Sequence, residues 1–562
     1  MRRTHLLLFL ITVCAVCRAQ AEHPGAIASA HPIATEAGLE ILRQGGNAFD
    51  AAVAVSAVLA VVEPYSSGIG GGGFWLLHRA RDGKQIMIDG REKAPKNAHR
   101  DMYLDANGKV IPGLSLNGPL AAGIPGEIAA LVHIANNYGR LPLAKTLAPA
   151  IHYAEKGFVV TDRYRKLAAF RLDVLRRYPE AANIFLVAGE VPTRGHRIVQ
   201  KDLASTLRRV AEKGRDGFYD GEIAAKLVLG VQAAGGIWTE ADLKNYAVEE
   251  RSPVIGSYNG IKITSAAPPS SGGMVLVEIL NMLKHKNLPD LGGIVRKHVI
   301  IEAMKRAYRD RAEYLGDPDF ITIPFSLVSK PYATIKGASI KLYRATPSAL
   351  LGGGKPEEAK GTDTTHFSIL DTEGNRVAAT LSINYPFGSC FVVPGTGVLL
   401  NDEMDDFSIH PGVPNVYGLI GNEANAIEPG KRPLSSMTPT FLETEDRVAI
   451  LGTPGGSRII SMVLLAVLDF AEGNPPKSWV SLSRYHHQYL PDEVQFEPGA
   501  FTELEKQTLK RLGHKLKPLS RRYGNMQAIL LERETGRVEA ASDPRGEGRA
   551  QFTLPKSESE QM

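Results

Sequence analysis

The sequence predicts a layered α/β architecture, and three observations carry that prediction. Composition is that of a globular protein, with 44% apolar, 22% charged and 7% aromatic residues. An early stretch of the chain has helical periodicity, and a later one switches to strict alternation around a tight turn. At 562 residues the chain has room for roughly two to four domains or one large two-lobed unit. Disordered, collagenous and multi-span membrane classes are excluded by the same composition. The 56 glycines and 35 prolines predict many turns.

Taken in order, the start MRRTHLLLFLITVCAVCRAQAEH has Arg2 and Arg3, an apolar run from Leu6 to Cys17, and Ala19-Gln20-Ala21. These are the three zones of a secretory signal peptide, residues 1–21. The alternative is an uncleaved anchor, but the apolar run is shorter than the roughly 20 residues of a spanning helix. Without Arg2, Arg3 and Arg18 the chain has 62 basic against 60 acidic residues, a net charge of +2. That balance excludes an electrostatic footprint for nucleic acid. Cys390 is then the lone cysteine, so no internal disulfide is available to an exported product.

Ala34 to Leu42 is periodic at helical spacing and stops at Gly45-Gly46. Asn47 caps a second helix, FDAAVAVSAVLAVV, which is apolar on nearly all sides and ends at Glu63-Pro64. Its shortness predicts a core helix and not a membrane span. Further helical patterns run over 162–229 and 293–311. Leu351 to Thr362, LGGGKPEEAKGT, reads as an exposed linker. Immediately after it, TTHFSIL, the turn DTEGN and RVAATLSIN form a β-hairpin signature. A strand, RVAILGTPGG, then runs into the helix SRIISMVLLAVLDFA, and LPKSESEQM is a polar tail.

Several motifs are false leads. Gly68, Gly70 and Gly73 satisfy G-x-G-x-x-G, but they follow a helix and open a strand, the reverse of a dinucleotide fingerprint. Close backbone packing is the reading that remains. No G-x-S-x-G, H-E-x-x-H or spaced Cys/His set occurs. His486-His487 reads as a structural pair, and Cys390, a possible thiol partner of His366, as a packed residue in a strand.

One constellation could carry chemistry, Gly361-Thr362-Asp363-Thr364-Thr365-His366 at the junction of linker and strand. A Thr whose own α-amine is free has a built-in base with a pKa of about 7.7 to 8.0. That arrangement requires cleavage just before the Thr, and a flexible loop ending on a central strand is where such a cut leaves the new terminus fixed. Taken alone, a strand-initial Thr pair is also explained by β-propensity.

The company it keeps is more specific. HPIATEAGLEILRQGGNAFDAAVAV, GGGGFWLLH, DGREKAP, GIPGE, TTHFSILD, LLNDEMDDFS, PGKRPLSSMTPT, TPGGSRII, RYHHQYLPDE and ASDPR resemble the blocks of the γ-glutamyltransferase (γ-glutamyl transpeptidase) family, in its order, from Gly25 to Arg545. The resemblance implies an N-terminal-nucleophile hydrolase fold, a four-layer αββα sandwich. It also implies a proenzyme that cuts itself at Asp363-Thr364 into two associated chains, residues 22–363 and 364–562. Thr364 becomes the nucleophile, supported by Thr365 and by Ser382, which stands where the family usually has Thr. Asn384, Glu403 and Asp406 are the implied holders of a substrate α-ammonium; Arg91, Ser435 and Ser436, of its α-carboxylate. The backbone N–H groups of Gly455 and Gly456 form the implied oxyanion hole. Pro411 to Lys431 matches a lid loop of some members, with Tyr417 as its closing residue.

The implied substrates are glutathione and other γ-glutamyl compounds, with amino acids, dipeptides or water as acceptors. No metal or organic cofactor is implied, and a periplasmic or secreted location fits the leader. Two other readings stay open. A glutaryl or cephalosporin acylase shares the fold, but its substrate lacks the ammonium that Glu403 and Asp406 would hold. An unprocessed binding relative would lack the cut at Thr364.

Overall fold

The computed structural model describes residues 22–352, 364–410 and 413–553. The leader, most of the linker with Asp363, two residues of the lid segment and the polar tail lie outside the described residues. Thirteen strands build the two large sheets seen among the described residues. In chain order they are β1 (Ala26–Ser29), β2 (Gly72–Arg79), β3 (Lys84–Gly90), β4 (Glu249–Arg251), β5 (Val254–Tyr258), β6 (Ile261–Ser265) and β7 (Thr365–Leu370). They continue with β8 (Arg376–Ser382), β9 (Thr440–Glu443), β10 (Arg447–Gly452), β11 (Gln527–Glu532), β12 (Val538–Ser542) and β13 (Arg549–Phe552). The first sheet runs β13-β1-β7-β8-β2-β3-β4, the second β12-β11-β10-β9-β6-β5. Every neighbouring pair in both is antiparallel.

Period-two alternation assigns the layers. On the first sheet, Ile27, Trp75, Leu77, Ile88, Phe367, Ile369, Val377 and Ala379 face one apolar cluster, shared with helices α1 (Pro32–Arg43), α2 (Ala48–Val62), α3 (Glu127–Tyr138) and α4 (Leu143–Lys156). A fifth helix, α5 (Asp162–Leu175), joins that layer through Tyr164, Ala168 and Leu175. The intervening residues Ala28, Phe74, Leu76, Met87, Leu370 and Ala378 face a second cluster with the other sheet. Its far side is covered by α6 (Gly272–Lys284), α7 (Gly293–Tyr314) and α8 (Ile459–Ala471). Helices, sheet, sheet, helices: the architecture is the αββα sandwich.

Local expectations hold. Asn47 caps α2 through a capping box with Asp50, and all fifteen residues of α2 are buried, as a core helix requires. Among the described residues no helix is long and apolar enough to cross a membrane. The glycines before β2 serve close packing: a Cβ on Gly70 would sit 2.1 Å from the Leu399 carbonyl oxygen, and one on Gly73 2.5 Å from that of Thr380. The hairpin β7–β8 pairs Leu370 with Arg376 across the predicted turn and lies at the centre of its sheet, which holds the start of β7 on a rigid element.

Candidate active site

Thr364 immediately precedes β7 and is 4% exposed. Alternation turns the next side chain to the other face, where Thr365 Oγ1 donates to Glu63 Oε2 at 2.8 Å. Glu63 is the C-cap of α2 and is buried; burial raises its pKa, against the pull of Arg163 and the Thr365 bond. The strand that begins at the candidate nucleophile is thus tied to the end of a core helix.

The hairpin's return strand brings Ser382 and Asn384. Ser382 Oγ accepts the Asn384 N–H at 2.8 Å, and Asn384 Nδ2 donates to the Asp402 carbonyl at 2.9 Å. Asn401 fixes the turn that follows: its Nδ2 donates to the carbonyls of Gly70 (2.7 Å) and Gly123 (2.8 Å), and its Oδ1 accepts the Glu403 N–H at 3.0 Å. The short helical turn Glu403–Asp406 is aimed by these bonds at Arg91, just beyond β3.

Arg91 is 1% exposed. Its Nη1 donates to Glu403 Oε2 and its Nη2 to Asp406 Oδ2, each at 2.6 Å, while Glu92 Oε2 lies 3.7 Å from Nη1. Burial disfavours the guanidinium charge, but Glu403, Asp406 and Glu92 outweigh it and raise its pKa. For Glu403 the balance tips the other way: burial pushes it up to about 7 despite Arg91. The residues expected to hold an ammonium and the one expected to hold a carboxylate satisfy one another here.

Ser435 and Ser436 approach from the segment before β9. Ser435 pairs with Ser270, its carbonyl accepting from the Ser271 N–H (2.8 Å) and hydroxyl (2.6 Å). Ser436 Oγ accepts from Arg311 Nη2 at 3.2 Å, and Arg311 Nε donates to Ser271 Oγ at 2.9 Å. Gly455 and Gly456, with φ of 142° and 56°, turn the chain from β10 toward α8, a path few other residues follow. Tyr417 covers that turn: a Cβ on Gly456 would lie 2.4 Å from the Tyr417 ring, and the Tyr417 hydroxyl donates to the Asn384 carbonyl at 2.6 Å.

One cleft of about 310 Å³ is walled by Thr364, Ser382, Asn384, Arg91, Asp406, Ser435, Ser436, Gly456 and Tyr417. Three expected residues lie behind or beside it: Glu403 acts through Arg91, Thr365 faces Glu63, and Gly455 borders a neighbouring hollow. Arg311 also lines the cleft and escaped the sequence reading. Its signal was a charge on the buried stripe that α7 forms with Ala303 and Ala307. Burial lowers its pKa to about 10. Glu63 was missed as well; an acid closing a fully buried helix was the available clue.

The rejected motifs stay outside. His366 meets Thr380 Oγ1 at 2.8 Å and Ser368 Oγ at 3.3 Å, and burial lowers its pKa to about 3. Cys390 sits in a turn with φ of 57° and not in a strand; burial pushes its thiol up to about 11. His486 and His487 bond separately, to Ser461 and Asp492. Among the described residues no group of His, Cys, Asp and Glu is arranged to hold a metal ion.

The family model for gamma-glutamyltranspeptidase matches residues 34–553. The chain is 44% identical over 497 residues to a glutathione hydrolase proenzyme of Pseudomonas sp. (strain A14), covering 87% of this chain and 86% of that one. It is 42% identical to the glutathione hydrolase proenzyme of Escherichia coli (strain K12), covering 93% and 90%. Among solved structures, the cephalosporin acylase from Bacillus halodurans superposes with a TM-score of 0.81 at 29% identity, over 97% of this chain and 99% of that one.

Proposed function

Since the chain belongs to the gamma-glutamyltranspeptidase family, whose reaction is the transfer and hydrolysis of γ-glutamyl groups, we propose that Thr364 is its nucleophile and that the cleft is its γ-glutamyl site. The observation that carries this reading is the meeting of Thr364 with a buried guanidinium held between two carboxylates. A γ-glutamyl group ends in an α-ammonium and an α-carboxylate. Its ammonium would replace the guanidinium's hydrogen bonds to Glu403 and Asp406, with Asn384 beside them, and its carboxylate would take the released fork of Arg91 together with Ser435 and Ser436.

Cleavage at Asp363-Thr364 would divide the precursor into chains 22–363 and 364–562 and give Thr364 a free α-amine. That amine takes the Oγ proton as Oγ attacks the γ-carbonyl. The N–H groups of Gly455 and Gly456 receive the developing oxyanion. The leaving amine departs with the proton from the α-ammonium, and the γ-glutamyl group remains as an ester on Thr364. Water then yields glutamate, or an amino acid or peptide amine yields a new γ-glutamyl amide. Thr365 and Glu63 hold the start of β7 in place, Ser382 orients Asn384, and Tyr417 closes the cleft over Gly456 to limit water at the ester stage. Glutathione is the proposed donor, and export to the periplasm or medium is proposed on the signal-peptide pattern of residues 1–21.

The likeness to a cephalosporin acylase supports a second reading, cleavage of glutaryl amides. Glu403 and Asp406 disfavour it, because a glutaryl group brings no cation to them. Comparing γ-glutamyl and glutaryl anilides separates the two. The nucleophile is tested by intact mass and N-terminal sequencing: wild-type protein is expected to yield a chain starting at Thr364, and Thr364→Ala a single uncut chain with activity down roughly 10⁴-fold or more. A Thr364→Ala protein that still cuts itself at this bond overturns the assignment.

A further inference from the structure

Two buried guanidinium groups line the cleft of Thr364, those of Arg91 and Arg311, and their company differs. Arg91 is crowded by Glu403, Asp406 and Glu92. Arg311, near the end of α7, is 4% exposed and pairs with no carboxylate among the described residues. The acid whose field reaches it is Asp406, which is already committed to Arg91 Nη2 at 2.6 Å and to Asn415 Nδ2 at 3.0 Å. The acid beside it on its own helix, Asp310, is taken by Arg309, Tyr332 and Lys336. Burying a charge is costly unless an opposite charge meets it, and the hydrogen bonds of Arg311 go to two hydroxyls.

Those hydroxyls belong to the wall of the site. Arg311 Nε donates to Ser271 Oγ at 2.9 Å and Nη2 to Ser436 Oγ at 3.2 Å. A hydroxyl has a single proton to give, so each serine that accepts from Arg311 sends its own proton elsewhere. Ser271 gives its proton to the Ser435 carbonyl at 2.6 Å, which fixes the segment that carries Ser436. Ser436 lines the cleft and donates its hydroxyl to no protein group among the described residues, which leaves that proton for a ligand. The cleft is therefore polarised: carboxylates gather on one side of Asp406, and a cation with a poised hydroxyl stands on the other. A γ-glutamyl end group carries the complementary pair, an ammonium for the first side and a carboxylate for the second.

We infer that Arg311 is a positioning and specificity-determining residue of the donor site: it turns the Ser436 hydroxyl toward the substrate's α-carboxylate and supplies a buried positive charge for that carboxylate to neutralise. The inference rests on the γ-glutamyl reading of the cleft. It gives the site a reason to demand an anion at the α-carbon that Arg91, already surrounded by carboxylates, does not supply alone.

The test compares γ-glutamyl p-nitroanilide with its α-carboxamide analogue, which keeps the ammonium and the scissile amide but has no carboxylate. Processed wild-type protein, Arg311→Gln, Arg311→Lys, Ser436→Ala and the Arg311→Gln/Ser436→Ala double variant are assayed. The readout is the ratio of kcat/KM for the two donors within one preparation, so a partly misfolded sample lowers both and leaves the ratio intact. Wild-type protein is expected to prefer the carboxylate roughly 30-fold, the scale of a buried charge contact. Arg311→Gln should cut that preference about tenfold, through KM and not kcat because the α-carboxylate is remote from the reacting carbonyl, while the carboxamide donor is used nearly as before. Arg311→Lys, which keeps the charge and gives up the fork, should lose about threefold, and is the variant to read where Arg311→Gln does not mature. Because Arg311 acts through Ser436, the double variant should lose less than the product of the two single losses. An undiminished preference in the Arg311 variant that matures, or losses that simply multiply in the double variant, overturns the inference. Equal use of both donors by wild-type protein overturns it too, and turnover of neither overturns the γ-glutamyl reading itself.

Discussion

Two buried charge clusters are built from the same residue types and end in opposite states. Around Glu302 on α7, two cations serve one carboxylate: Arg306 Nη1 lies 2.7 Å from it and Lys305 Nζ 3.3 Å, and the Thr346 N–H donates to both carboxylate oxygens at 3.2 Å. Burial pushes Glu302 up, but these cations pull it down to about 2. Around Arg91 three carboxylates crowd one cation, and Glu403 is left at about 7. Burial and pairing alone therefore do not mark a site. A cation-poor cluster on the wall of a cleft has capacity for one more positive charge, which is what an α-ammonium supplies; a buried carboxylate that already holds two cations does not.

The comparison breaks if the two clusters respond alike to truncation. Glu302→Ala leaves the buried Arg306 without its carboxylate and Lys305 with Asp492 alone, and is expected to cost about 3 to 5 kcal/mol of stability, read as a large drop in the thermal midpoint. Asp492 also pairs with Lys305 at 3.2 Å and accepts the Ser348 N–H at 2.9 Å, so this cluster joins segments on both sides of the proposed cut. Asp406→Ala is expected instead to raise KM for a γ-glutamyl anilide about 100-fold, the scale of a truncated buried charge contact, while the thermal midpoint moves far less. Asp406→Ala with unchanged KM removes the ammonium site.

How much of this was legible follows the same division. The residues of the open cluster sit in compact blocks, DGREKAP, LLNDEMDDFS and PGKRPLSSMTPT, and the hairpin and the capped helix α2 were readable from periodicity because their signals are local. Arg311 was not, since only the packing of α7 against the segment before β9 brings its guanidinium to Ser436. Nor was the sheet order: β1 pairs with both β7 and β13, contacts separated by hundreds of residues that no window of sequence contains.

Protonation sharpens the contrast. Glu403, raised from an ordinary 4.5 to about 7, gains its charge as pH rises through 7, so KM for a γ-glutamyl donor should fall about tenfold between pH 6 and pH 8, one pKa unit being a factor of ten. Glu403→Gln should flatten that change; the Thr364 amine, the proposed base, is untouched by the substitution. The stability linkage has opposite signs at the two clusters. A raised acid favours the folded state below its unfolded pKa, so the Glu403 contribution is full below about 4.5 and lost as pH rises through about 7. The depressed Glu302 contributes above about 4.5 and loses its share as pH falls through about 2. Thermal midpoints of Glu403→Gln and Glu302→Gln across pH should therefore diverge from wild type at opposite ends of the scale.

The smallest expected effect lies at the cover of the open cluster. The Tyr417 hydroxyl donates to the Asn384 carbonyl and its ring rests on Gly456; its own carbonyl is held by Gln488 Nε2 at 3.2 Å. Tyr417→Phe keeps the ring and the backbone anchor and loses the hydroxyl's bond to Asn384, worth about 1 kcal/mol or roughly fivefold in the closed population. On the proposed role of Tyr417, closure limits water at the ester stage more than the first attack, so the change should appear as a lower ratio of transfer to hydrolysis, about two- to fivefold, with KM for the donor nearly constant. Tyr417→Ala removes the ring too and should lower the ratio further. If neither variant moves the ratio while the cleft still turns over its donor, Tyr417 is a packing residue over the glycine turn, and the open cluster controls binding without controlling which nucleophile ends the reaction.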